Sequence, residues 1–269
     1  MTRTTTRDRV AQIGDYRIER ELRSEESGLV FLGTHMLLPR IAEVKVMHAS
    51  HGWLRAAAVS VLREACLLEA LSHPGIPRVF ETGVLPDKRP WSAFGRCEGT
   101  AMTEHTIVAV SDLVPLIRDV ADILAHAHAR GVTHGKVAAE RVLRVENGRF
   151  PVLLRGWADA TATDSPDAVS PLADIYGLGA IAFSALAGKA PDGRRTAEHC
   201  PNAPAELTAL IDRMLGRDVA AVEIRDCAGW LAATVELLPT KPRWTPVHGL
   251  GSDKLPIIDD TVLSIRFGK

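Results

Sequence analysis

The texture of the chain changes once, near Glu98-Gly99, and that change limits what it can fold into. Before it come short runs rich in β-branched and aromatic residues: Tyr16-Arg17-Ile18, Leu29-Val30-Phe31-Leu32, Ile41 to Met47, Arg78 to Glu81 and Trp91 to Phe94. One helical stretch, Leu54 to Leu71, interrupts them. Such spacing predicts five strands and a helix. After the change the apolar period is helical. Ser111-Asp112 reads as the N-cap of a helix reaching Ala129, and Gly131 ends it. Two short β-like runs, Arg141 to Val145 and Pro151 to Leu154, flank the turn signal Asn147-Gly148. Further helices are expected at Ala173 to Ala187, Ala205 to Leu215 and Asp226 to Leu237. The expectation is an α+β chain: a small β-rich lobe with one helix over residues 13–97, then a mainly helical lobe over 98–238.

The two ends read differently from this body. Residues 1–12 are polar, with four Thr and three Arg, and are expected to form a disordered arm. Residues 239–269 carry Trp244 and the apolar clusters Leu255-Pro256-Ile257-Ile258 and Val262-Leu263-Ser264-Ile265. Such residues seldom stay solvated, so this tail is expected to dock on its own lobe or on a partner.

With 269 residues, 46% of them hydrophobic and 24% charged, the chain can bury a sizeable core. A formal net charge of -1 gives no basic field for nucleic acid and no polybasic membrane anchor. Cys66, Cys97, Cys200 and Cys227 are widely spaced, suggesting neither a zinc site nor a disulfide framework. No apolar stretch follows the Thr/Arg-rich opening, which argues against a signal peptide. Gly177 to Ala187 is too short to span a bilayer, where about 20 residues are needed. No membrane insertion and a cytoplasmic location are therefore expected.

Several local strings recur in a fixed order: Ala42-Glu43-Val44-Lys45, Arg63-Glu64-Ala65, Leu71-Ser72-His73-Pro74-Gly75-Ile76, His134-Gly135-Lys136-Val137-Ala138-Ala139-Glu140-Arg141-Val142-Leu143 and Asp174-Ile175-Tyr176-Gly177-Leu178-Gly179. In that order they resemble the bacterial serine/threonine protein kinase family over roughly Ile13 to Leu238. The resemblance implies a kinase-like bilobal fold. It makes Lys45 the lysine that would hold the nucleotide phosphates and Glu64 its ion-pair partner. Gly28, Val30, Glu43 and Phe94 become remnants of the nucleotide cleft. His134, Asp174 and Arg225 become structural residues, with His134 anchoring its loop near the buried Asp174.

The chemistry of that family is replaced at the positions that carry it. Lys136 stands where the resemblance implies the catalytic Asp, and Arg141 and Arg155 stand where it implies the two metal ligands. Only Gly28 remains of a glycine-rich loop, in which Arg23 and Glu25 take the first two glycine positions. Glu25 and Glu26 would repel a triphosphate. Residues two apart on a strand share a face, so Glu43 follows Lys45 into the cleft and is expected there to pair with it and fill the base pocket; a one-residue register slip would turn Glu43 outward. Gly156 replaces an apolar ring of the family's stack, which Trp157 is expected to refill. Cations do not ligate magnesium. Three outcomes stay open for them: an internal network with Glu43 and Glu64, metal-free binding of a nucleotide or phosphate, or an unfamiliar transferase activity.

The reading that follows is a pseudokinase that is no enzyme, binds ATP and magnesium weakly or not at all, holds no metal, and acts as a scaffold or allosteric regulator in serine/threonine kinase signalling. Its partner would be an active serine/threonine kinase or a phosphopeptide-binding module. The alternatives are a metal-independent nucleotide-binding switch and a transferase with chemistry of another type.

Overall fold

The computed structural model of the chain describes residues 12–49, 55–102, 108–146, 148, 150–166, 168–217 and 222–237. The expectations for residues 1–11, for Leu54, Asn147 and Leu238 and for the tail 239–269 lie outside these residues; Gln12, expected to close the disordered arm, is instead a strand residue paired with Arg17.

The first lobe is a six-stranded antiparallel sheet with one helix. Its strands are β1 (Gln12–Ile13), β2 (Tyr16–Glu25), β3 (Gly28–His35), β4 (Ile41–Met47), β5 (Val79–Val84) and β6 (Pro90–Gly95), in the order β1-β2-β3-β4-β6-β5. Helix α1 (Arg55–Leu71) lies between β4 and β5 in the chain. Strand β4 is buried on both faces, its charged Glu43 and Lys45 included. Ala42, Val44 and Val46 join Tyr16, Trp91 and Ala93 in a small core of their own. Glu43 and Lys45 lie at the alternate positions of the same strand.

Strand β2 runs seven residues further than its apolar pattern indicates. Glu25 pairs with Gly28, so only Glu26 and Ser27 remain for a two-residue hairpin turn. The segment expected to be a glycine-rich loop is thus a paired hairpin. Gly28 is needed there for a close approach: a Cβ would lie 2.3 Å from the Val46 carbonyl oxygen.

The second lobe is built around α2 (Val110–His128) and α3 (Pro171–Ala187). Short strands join it: β7 (Thr100–Ala101) with β9 (Val142–Arg144) and β10 (Val152–Leu154), and β8 (Val132–Thr133) with β11 (Thr161–Ala162). Helices α4 (Thr196–His199), α5 (Ala205–Met214) and α6 (Ile224–Leu237) complete it. Leu113, Ile117, Val120, Leu124 and Ala127 give α2 its buried face, and α6 packs along this helix. Helix α3 is the central element. Ile175, Leu178, Ile181, Ala182 and Phe183 are buried, and a Cβ on Gly177 would lie 2.5 Å from the Val137 carbonyl oxygen. That approach sets the 134–141 turn directly on the helix.

Three helix starts differ from expectation; α6 begins at Ile224, two residues before Asp226. Helix α2 begins at Val110 with Ala109 as N-cap, so Ser111 and Asp112 lie inside its first turn, where the Asp112 carboxylate favours the helix dipole. Helix α3 begins at Pro171, with the Ser170 side chain accepting the Leu172 N–H at 3.3 Å. Proline at the first position loses no hydrogen bond there. Among the described residues no helix is long and apolar enough to cross a membrane.

Candidate functional site

Strands β2 and β4 flank β3, and each carries two opposite charges spaced two residues apart: Arg23 and Glu25 on one, Glu43 and Lys45 on the other. Period-two alternation turns all four toward the same side. The result is a chain of ion pairs along the upper wall of the cleft. Cys97, in the connector that follows β6, donates its backbone N–H to Glu43 Oε1 at 3.1 Å. Arg23 Nη1 donates to Glu43 Oε2 at 2.7 Å, and Arg23 Nε to Glu25 Oε1 at 2.8 Å. Lys45 Nζ lies 2.8 Å from Glu25 Oε2 and 2.7 Å from Glu64 Oε2.

Lys45 is only 2% exposed, and Glu43 and Glu64 are buried as well. Burial works against the Lys45 ammonium, but Glu64 and Glu25 outweigh it and hold its pKa above the ordinary lysine value. Burial also pushes the Glu64 carboxyl up, with Lys45 opposing. Glu25 is more open; there Lys45 and Arg23 overcome burial and keep its carboxyl below the usual range. The Cys97 thiol is pushed up to about 12 by burial and by the Glu43 carboxylate, so it is no nucleophile at neutral pH.

The floor of the cleft is the 134–141 turn and the segment after β10. Lys136 Nζ donates to Asp159 Oδ1 at 2.9 Å. Both Nη atoms of Arg141 lie 3.4 Å from Asp159 Oδ2, and Arg141 Nη1 also donates to the Gly156 carbonyl at 2.7 Å. Gly156 adopts φ 87°, and a Cβ there would lie 2.9 Å from Arg141 Nη1, so glycine is what lets the guanidinium lie across this turn. Burial opposes ionisation of Asp159, but Lys136 and Arg141 prevail and hold its carboxyl low. Arg155 Nε and Nη2 donate to the Glu140 carbonyl at 3.3 and 3.0 Å.

One buried carboxylate fixes this floor. Asp174, fully buried on α3, accepts the His134 N–H at 2.8 Å and the Gly135 N–H at 2.7 Å, and His128 Nε2 lies 2.8 Å from it. His134 is fully buried, with Nε2 3.1 Å from the Arg155 carbonyl oxygen, and burial lowers its pKa to about 4. It is therefore a neutral spacer at physiological pH. Trp157 fills the space beside it: 1% exposed, edge-on to the His134 ring at 4.7 Å, with Nε1 donating to the Leu154 carbonyl at 2.8 Å.

The structure brings Glu43, Lys45 and Glu64 together on the wall, with Val30 and Phe94 buried in the same sheet. Three sequence-based expectations need correction. Glu43 pairs with Arg23 and the Cys97 N–H rather than with Lys45, because Glu25 on the longer hairpin reaches Lys45 first. Lys136 and Arg141 pair with Asp159, and Arg155 with a carbonyl, rather than with Glu43 and Glu64. Arg225 does not anchor the lobe: its side chain is 75% exposed and meets Glu223 at 2.7 Å.

Sequence reasoning named Arg23 only as a replaced glycine, not as a partner of Glu43, and missed Asp159. The alternation of charge on β2 pointed to the first. Asp159 lies beyond the string compared, and only the 3-10 turn over Trp157–Asp159 carries it back to Lys136. The floor does not fit a magnesium ion held in the kinase manner, since cations stand at the ligand positions and Asp159 is already paired with two of them. Among the described residues no group of three or more His, Cys, Asp or Glu side chains is placed to hold a metal.

No protein-family model matches the chain. It is 26% identical over 205 residues to the serine/threonine-protein kinase Pkn1 of Myxococcus xanthus, covering 66% of this chain and 29% of that protein. It is 29% identical over 204 residues to PknJ of Mycobacterium tuberculosis, covering 65% of this chain and 34% of the relative. The chain thus spans 29 to 34% of the length of these two kinases. Its fold matches the crystal structure of the Mycobacterium tuberculosis PknI kinase domain with a TM-score of 0.64 at 23% identity, over 83% of this chain and 97% of that one. The α+β, kinase-like bilobal fold is that of the solved domain.

These matches correct the expectation that the chain is no enzyme. The relatives carry the names of serine/threonine-protein kinases, which are phosphoryl-transfer enzymes. The expectation came from judging each replaced position by itself. The folded chain instead returns a carboxylate, Asp159, to the floor between Lys136 and Arg141.

Proposed function

Because the chain belongs to the bacterial serine/threonine protein kinase family, we propose that it serves serine/threonine phosphorylation signalling in the cytoplasm as a scaffold or allosteric regulator whose cleft is closed by its own side chains. The observation that carries this reading is the Glu43 carboxylate seated on the Cys97 N–H. A base entering the cleft must displace that carboxylate, and a phosphate reaching Lys45 must displace Glu25. Glu25, Glu43 and Glu64 outnumber Arg23 and Lys45 on this wall, so its field disfavours a polyphosphate. Any phosphoryl transfer waits on the opening of this chain of pairs. In the closed state the chain acts by binding a partner, an active kinase or a phosphopeptide-binding module.

Thermal unfolding in the presence of ADP, with and without magnesium, tests the reading. The wild type is expected to show no shift, and Glu43→Ala a saturable rise of about 5 °C at an ADP concentration near 100 times its Kd. A saturable shift in the wild type without magnesium would replace this reading with a nucleotide switch.

A further inference from the structure

The wall of the cleft is satisfied by its own pairs, but the floor is not. Asp159 makes one short bond, to Lys136 at 2.9 Å, while both of its contacts to Arg141 are 3.4 Å, longer than charge-assisted hydrogen bonds run. A carboxylate has two oxygens and one charge, and here it spans two cations without filling the Arg141 fork. Arg155 is tied to the same turn: its N–H donates to the Arg141 carbonyl at 2.9 Å and its guanidinium to the Glu140 carbonyl, a neutral acceptor that does not compensate its charge. Glu140 is exposed and Asp174 is taken by the His134 and Gly135 N–H groups and the His128 ring, so of the floor's carboxylates it is Asp159 that meets Lys136 and Arg141. The Lys136 side chain is 58% exposed, so its ammonium is open to a ligand.

We propose that Lys136 and Arg141 form a metal-free receptor for a phosphorylated serine or threonine of a partner protein, with Asp159 holding the place of the phosphate. A phosphate monoester brings up to two charges and three acceptor oxygens, enough to bond Lys136 and both prongs of Arg141 together. The ligand is a phosphorylated side chain rather than a nucleotide because Glu43 occupies the connector N–H and Glu25 and Glu64 saturate Lys45. In this respect the proposal rests on the closed cleft and names the chemistry of the partner. Asp159 acts as a tethered competitor, and the exposure of Lys136 gives the entry side.

Fluorescence anisotropy of the intact chain in EDTA tests this, with a labelled phosphothreonine peptide, its unphosphorylated twin, inorganic phosphate and ADP. Only the phosphopeptide is expected to bind below millimolar concentration. Lys136→Gln should weaken it about tenfold or more, and Asp159→Asn should tighten it at least about threefold. Equal binding of the two peptides, no binding to wild type or Asp159→Asn, or an affinity unmoved by Lys136→Gln would each overturn the receptor. Inorganic phosphate binding as tightly as the peptide would overturn a protein partner as the source. ADP binding to the wild type would overturn the closed cleft instead, whereas failure of the phosphopeptide with ADP still excluded overturns the receptor alone.

Discussion

Asp174→Ala should lower the free energy of unfolding by about 3–5 kcal/mol, the cost of stripping several buried donors of a charged partner. Asp174 is fully buried and takes the His134 and Gly135 N–H groups and the His128 ring. Asp174 and His134 are closed off from bulk solvent, so the donor left behind there loses a bond that bulk water does not replace. The effect is larger than a cavity alone would give, because the turn that carries Lys136 and Arg141 is held by these two N–H bonds. Asp174→Asn keeps the volume and one acceptor and should lose less. Urea unfolding of the two variants checks the order; a loss below about 1 kcal/mol for Asp174→Ala would show that the turn is fixed by packing instead.

Lys45→Met should also cost about 3–5 kcal/mol near neutral pH, since removing one partner leaves a buried charge uncompensated. Methionine matches the stem of lysine but leaves Glu64 and Glu25 without their shared cation. Burial already pushes the Glu64 carboxyl up, and the variant loses the Lys45 charge that opposes it. An acid whose folded pKa is raised contributes stability below its unfolded value and loses it as pH rises through the folded one. The deficit of Lys45→Met should therefore be smaller at pH 5 than at pH 8, and the double variant Lys45→Met/Glu64→Gln should recover much of it. A deficit independent of pH would mean that Glu64 stays solvated in the variant.

The two lobes were readable from the sequence because their elements are set by local periodicity. Ile41 to Met47 is a strand with the bounds expected, and α1 and α3 start and stop within two residues of their apolar runs. The extension of β2 was not readable: residues 19 to 25 are mostly charged, and they become a strand through pairing with β3. The same distant register decides which carboxylate reaches Lys45. Strand parity placed Glu43 on the Lys45 side but could not tell that Arg23 and the Cys97 N–H would take it. Asp159 was hidden for another reason: a tight turn after Gly156 brings it back across four residues, and no pattern of apolar spacing marks such a return. Reading replaced positions singly also led to the expectation of an inactive chain, which the kinases it matches do not support.

Hydrogen exchange of the Cys97 backbone amide reports most directly on whether the cleft is closed from within. The closed-cleft account predicts protection of this amide in the wild type and at least about a tenfold loss of protection in Glu43→Ala, with amides in α2 and α3 unchanged. Equal exchange of Cys97 in the two proteins would contradict it, for the Glu43 carboxylate would then not occupy the connector.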